Sequence, residues 1–351
     1  MSDMKTQIAF GSDDDLGKTE PSSVLTSPFN TLSKDSSMHS LTPSLKHYSK
    51  DSIMHPSLYS HLGNPTLLPD KVSIVFNPEP YEMDYLRSEL PNLPGYRDNS
   101  FTGYGNYNHR VSIQVKAVGS RSSKLLIELD PKVKFKGASS LRVDWNPSTA
   151  NMPKVISILD SLLQNGYNRL IVNGSITRFD LACDIPGFNI NSFLYYRPRT
   201  KSKRPANKRF LETKYIGSSR SAVQFCIYNK NWEQFKHYAI APRYSHLTRI
   251  EARLKGHFTI DTLQDKLIKS FETLFITPYS PNGTPGNVQS FLDKCHEDGV
   301  SYSLKALTPY QRSKKIKQLS ITSLADLLGN RLSTGIGEVV NSVLFPSINV
   351  I

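Results

Sequence analysis

From residue 71 the chain alternates apolar and polar positions with a period of two, the pattern of strands whose faces meet different surroundings. Val72, Ile74 and Phe76 alternate with polar neighbours across residues 71–76. Residues 110–118 and 124–130 predict two further strands, joined by a Gly/Ser/Arg turn over 119–123. A fourth strand spans 141–145 and ends at Asn146-Pro147. The period then changes. Val155, Ile158, Leu159 and Leu162 share one helical face, with Pro153 in the first turn and Gly166 at the stop. Strands follow at about 176–185, 222–229 and 246–255, with a shorter one at about 210–217, and a helix over 259–274. Residues 276–290 are rich in Pro and Gly and read as a linker. Thr308-Pro309 begins a helix, and residues 323–328 form another closed by Gly329. This succession predicts an α+β fold with a mainly antiparallel central sheet and flanking helices.

Residues 1–70 have a different texture. They hold 14 Ser, 6 Thr and 6 Pro, with single apolar residues and neither period. Such a segment buries too little apolar surface to offset its chain entropy, so it reads as a disordered tail. The expected organisation is this tail, a catalytic core over 71–275, the linker over 276–290 and a helical C-terminal region over 291–351.

Charge sharpens the picture. The chain has 351 residues and a formal charge of +13. The first 70 residues carry 5 basic and 8 acidic side chains, which leaves 38 basic and 22 acidic in the remainder, or +16. A folded part with that surplus points to a polyanion, most simply nucleic acid. No apolar run reaches 18 residues, and the acidic N-terminus does not read as a secretory signal. Cys183, Cys226 and Cys295 fit neither a disulfide framework nor a zinc site. A cytoplasmic protein without a membrane partner is expected.

Three strands each combine an apolar face with a face that could carry chemistry. Phe179, Leu181, Cys183 and Ile185 share one side, so Arg178, Asp180, Ala182 and Asp184 share the other. Ile250, Ala252 and Leu254 oppose Arg249, Glu251 and Arg253. Val223, Phe225 and Ile227 oppose Gln224, Cys226, Tyr228 and Lys230. Carboxylates on one strand face repel unless a cation lies between them, and the small Ala182 leaves space for one. If the strands are neighbours, Asp180, Asp184 and Glu251 form an all-oxygen set of the kind Mg²⁺ or Mn²⁺ prefers. Tyr228 beside it is then a candidate nucleophile towards a phosphodiester, with the cation or Lys230 stabilising a phenolate of ordinary pKa near 10. Tyr215 is the alternative nucleophile. A surface salt-bridge ladder is the competing reading of the same charges.

The stretch 197–220 holds 9 Lys or Arg and one acid, Glu212. Such runs are usually solvated loops. This one leads directly into the Tyr228 strand, which favours phosphate contacts from Lys201, Lys203, Arg204, Lys208, Arg209 and Arg220. Tyr195 and Tyr196 are candidates to stack on an unpaired base. The cluster at 312–317 is a second basic candidate.

The ordered strings GSITRFDLACD (174–184), ETKYIGSSRSAVQFCIYNKNWEQ (212–234) and HLTRIEARLKG (246–256) resemble the Rep_trans family of rolling-circle replication initiators of plasmids and phage-like elements. LRVDWNPST (141–149) also resembles that family's short strand followed by Asn-Pro, and the likeness covers about 71–275. The resemblance implies an HUH-endonuclease-like core that nicks one strand at a double-strand origin bearing a hairpin or inverted repeat. It implies Tyr228 as nucleophile, leaving a 5′-phosphotyrosine and a free 3′-hydroxyl. Asp180 or Asp184, with Glu251, would ligate Mg²⁺ or Mn²⁺. Lys230 and Arg253 would contact phosphate, and a homodimer and a host helicase would be partners; Arg178 and Arg249, on the same strand faces, are further candidate DNA contacts. None of the nine histidines forms the His-x-His pair of HUH metal sites, in keeping with a carboxylate-rich centre. The alternative is an initiator that grips origin DNA without cutting it.

Overall fold

The computed structural model describes residues 62–100, 105–117, 123–133, 137–198, 200, 202–203, 213–280, 286–319 and 321–346. The first strand, β1 (Thr66–Phe76), starts five residues before the alternation becomes legible. Residues 66–70 therefore belong to the fold, a correction to the expected tail; residues 1–61 lie outside the described residues. Pro69 interrupts the pattern and cannot donate to a ladder. The pairing accommodates it with a register shift between Pro69 and Lys71.

Helix α1 (Pro80–Glu89) follows, then β2 (Tyr96–Asp98), β3 (Tyr107–Gln114), β4 (Lys124–Pro131) and β5 (Leu141–Trp145). Helix α2 (Met152–Leu162) begins at Asn151, whose side chain accepts a hydrogen bond from the Lys154 amide. It ends before Gly166. That glycine does not stop α2 but opens a second helix, α3 (Gly166–Asn173), and the position needs glycine because a Cβ there would collide with the Leu159 carbonyl. The central strand β6 (Ser175–Pro186) then leads through β7 (Phe193–Tyr196) and β8 (Ser202–Lys203) to β9 (Thr213–Ile216) and β10 (Val223–Asn229). Helix α4 (Lys230–Tyr238), strand β11 (Leu247–Phe258) and helix α5 (Ile260–Glu272) complete the expected core.

The linker expected at 276–290 is partly structured. Strand β12 (Phe275–Pro278) pairs with β7, and α6 (Asn287–Asp298) begins inside the segment; residues 281–285 lie outside the described residues. Then come α7 (Val300–Lys305), α8 (Pro309–Gln318), β13 (Thr322–Ser323), α9 (Leu324–Leu328) and α10 (Asn330–Leu344).

The main sheet runs β2-β3-β4-β5-β1-β6-β11-β10-β9-β8, and every registered pairing in it is antiparallel. The fold is α+β, as the pattern predicts. One apolar cluster joins the sheet to α2, α3, α5, α9 and α10, with Phe225 and Phe271 edge to face at 5.8 Å. The Tyr167 hydroxyl donates to the Val343 carbonyl and ties α3 to α10. Helices α9 and α10 thus pack on the core, while α6 and α7 form a smaller cluster with Leu194, Tyr279 and Leu319. Among the described residues, no helix is long and apolar enough to cross a membrane.

Candidate functional site

Strands β6, β11 and β10 lie side by side, as the face reading requires. Phe179, Leu181, Cys183, Ile185, Ile250, Ala252, Leu254, Phe225 and Ile227 are buried on the helix-covered side. Their alternates stand together on the opposite side. Register fixes the neighbours: Glu251 lies opposite Ala182 and Cys226, Arg249 opposite Asp184 and Tyr228, and Arg253 opposite Asp180 and Gln224.

Each expected carboxylate is held by an arginine. Arg178 donates to both Asp180 oxygens, at 2.9 Å to Oδ1 and 2.5 Å to Oδ2. Arg249 clamps Asp184 with two parallel bonds of 2.5 and 2.7 Å. The Arg253 guanidinium donates to Glu251 Oε2 at 2.6 Å, and the Tyr228 hydroxyl donates to Glu251 Oε1 at 2.7 Å. Lys230 does not share the strand face. The strand ends at Asn229, and Lys230 opens α4, pairs with Glu233 at 2.7 Å and lies 5.9 Å from the Tyr228 ring centroid.

The pattern extends across the sheet. Arg110 and Arg142 reach Glu128 at 3.4 and 3.3 Å, while Arg142 and Lys71 reach Asp144 at 3.0 and 3.3 Å. In most pairs the carboxylate is the more buried partner: the Asp180 and Glu251 side chains are 3 and 4% exposed, against 28% for Arg178 and 24% for Arg253, while Arg249 is buried more deeply than Asp184. From β3 to β11 these pairs span five strand spacings, about 24 Å.

Strand geometry corrects one expectation. Asp180 and Asp184 are four residues apart, about 13 Å at strand rise, so a single cation cannot bridge them. The place above Ala182 faces Glu251 instead. Among the described residues, no group of three His, Cys, Asp or Glu is arranged to hold a metal ion. Asp70 adds a fourth carboxylate, which the sequence reading assigned to the tail. It sits at the β1 register shift, accepts from the Asn146 amide at 3.3 Å and is clamped by no arginine among the described residues. Burial, then the charge of Glu251, pushes its carboxyl up, and Asp180 adds to the push while Arg249 opposes it.

A raised carboxyl binds its proton more tightly in the folded than in the unfolded chain, so ionisation disfavours folding as pH rises above the unfolded value of about 3.9. Asp70→Asn is therefore expected to raise the Tm at pH 7 in chelator, with the gain shrinking as pH falls towards 4. Thermal unfolding at both pH values checks this, and an unchanged Tm at pH 7 would contradict it.

The Tyr228 phenol is pushed far above its ordinary value by burial, then by the Glu251 charge, with Arg249 opposing. Tyr215, on β9, faces Cys226, and its phenol is also raised, first by Cys226 and then by burial. Arg220 is exposed in the turn between β9 and β10. Lys203 is described for its backbone only, paired with Tyr215. Lys201, Arg204, Lys208 and Arg209 lie outside the described residues. Tyr195 is not available to a base: it is 6% exposed, with its hydroxyl donating to the Ile190 carbonyl. Two cations of the 197–220 run are half-buried and bonded within the fold. Arg197 bonds Thr273 and the Val223 carbonyl, and Lys214 lies 5.0 Å from the Tyr195 ring centroid.

No protein-family model matches the chain, and no curated protein matches it.

Proposed function

We propose that this protein is a replication initiator that nicks one DNA strand by transesterification onto Tyr228. The observation that carries the reading is the Tyr228–Glu251 hydrogen bond of 2.7 Å, with Glu251 also bound by Arg253 and the Arg249–Asp184 pair beside Tyr228 in the register. A phenol held so far above its ordinary value supplies almost no free phenolate. Its proton must therefore leave during attack, and Glu251 Oε1 is the acceptor within reach. The Tyr228 oxygen forms a bond to phosphorus as the bond to the 3′-oxygen breaks. The departing oxygen takes a proton from water, leaving a 3′-hydroxyl and a 5′-phosphotyrosine. Arg249, opposite Tyr228 in the register, and Arg253, bound to the other Glu251 oxygen, stabilise the charge that develops on the phosphoryl group.

The donor set is oxygen only, the kind a hard cation prefers, and burial, then the Glu251 charge, pushes Asp70 up. Mg²⁺ or Mn²⁺, which when bound would supply charge neutralisation at the phosphate, belongs to this proposal through the resemblance alone: Arg178 engages both Asp180 oxygens, Tyr228 and Arg253 engage both Glu251 oxygens, and the described carboxylates form no three-ligand group. The partly exposed cations from Arg110 to Arg253 suit a phosphate backbone. An HUH-endonuclease-like core, origin DNA with a hairpin or inverted repeat, a homodimer and a host helicase belong to the same proposal.

The test is incubation with Mn²⁺ and a supercoiled plasmid that carries the DNA flanking the coding sequence. Nicked circles, with labelled DNA retained on the protein after denaturation, are the expected result. Tight binding without nicking would leave the non-cutting initiator as the answer.

A further inference from the structure

We propose, resting on the nicking reading above, that α4 and the loop after it form a stacking platform for unpaired bases of the strand held at Tyr228. Trp232 and Phe235 lie one helical turn apart, with ring centroids at 6.1 Å and planes inclined by 33°. They are 39 and 54% exposed, so both rings lie within reach of a ligand. Tyr244, in the following loop, is 39% exposed with the Arg243 guanidinium 5.7 Å from its ring centroid.

The platform is fixed relative to Tyr228. Strand β10 runs into α4 without a loop, and the Asn229 side chain caps the helix by accepting from the Trp232 amide at 3.0 Å. The buried Asn231 donates to the Tyr244 carbonyl at 2.7 Å and holds the loop against the start of the helix. Phe235 therefore lies about 7.5 Å along the helix axis from its first residue. The occupant follows from charge. Residues 230–246 contain Lys230, Lys236 and Arg243 against a single acid, Glu233, which is paired with Lys230. Aromatic faces among cations suit nucleobases joined by phosphates, and a base stacks on them only when it is unpaired. Nicking at Tyr228 requires such an unpaired strand close by.

The two tryptophans make the test direct. Trp145 is 2% exposed, so Trp232 is the one a ligand can reach. Short oligothymidylate, added to the Tyr228→Phe protein without metal, is expected to quench the fluorescence of Trp232. Duplex of equal length should leave it unchanged. Trp232→Ala and Phe235→Ala should each weaken oligothymidylate binding about tenfold or more and leave duplex affinity intact, while Trp232→Phe restores it. An absence of quenching, or alanine variants that bind oligothymidylate as the parent does, would overturn the platform even if Tyr228 proves to be the nucleophile. Quenching that persists when Tyr228 proves dispensable for nicking would uphold the platform and sink the nicking reading alone. If Trp232→Ala lowers the sedimenting mass and leaves oligothymidylate binding unchanged, the patch is a contact between copies and the platform is overturned.

Discussion

Tyr228→Phe is expected to leave a folded protein that binds origin DNA and forms no covalent complex with it. The substitution removes one oxygen. The ring keeps its place on β10, and Glu251 keeps Arg253 at 2.6 Å, so the stability cost is that of one hydrogen bond, about 1 kcal/mol. Transesterification has no other route once the attacking oxygen is gone, and the rate should fall by about 10⁴-fold or more. Denaturing gels with end-labelled DNA read the adduct directly, and melting curves confirm the fold. Tyr215→Phe is the paired control. Tyr215 stands one strand further out, with Cys226 between it and Glu251, and this variant should nick as the parent does. If Tyr215→Phe abolishes the adduct and Tyr228→Phe does not, the roles are reversed.

Where the sequence was read correctly, the signal was local. A period of two assigns each residue of residues 176–185 and 246–255 to a face without any knowledge of neighbours, and the polar faces assembled as read. What that reading could not carry was register. Whether Arg249 meets Asp184, and whether Glu251 stands above Ala182, depends on how strands distant in sequence align. The carboxylates that looked like converging ligands are consequently spaced out by arginines. Asp70 was lost for a different reason: Pro69 and Asp70 resemble loop punctuation, and a register shift hides the strand beneath them. Helix α10 falls in the expected helical C-terminal region, but its bounds are not legible because Gly335 and Gly337 interrupt a stripe formed by Leu332, Ile336, Val340 and Val343. Tyr195 misled because an aromatic beside a basic run looks like a nucleic-acid contact, whereas burial is decided by β7 pairing with β12.

Glu251→Gln tests the proton transfer and not merely the presence of the tyrosine. Glutamine has nearly the same shape and can still accept the Tyr228 hydrogen bond through its carbonyl oxygen, but it cannot take the proton. Nicking at neutral pH should fall by about 10²–10⁴-fold, the range of general-base contributions. The fold should survive, because Arg253 retains Asp180 at 4.0 Å and is partly exposed, which keeps the cost below the 3–5 kcal/mol typical of a fully buried broken pair. The pH profile separates this role from a structural one. The Glu251 charge and hydrogen bond both raise the phenol, so the substitution lowers it towards its ordinary value near 10. Residual nicking in Glu251→Gln should then climb about tenfold per pH unit through the alkaline range, since the few phenolates present do the work. The parent, with a base already in place, should show a far shallower rise. A variant that nicks at the parental rate at pH 7 would remove Glu251 from the reaction. A variant that is slow but has the parental pH profile would make Glu251 a positioning residue and assign the proton to another group.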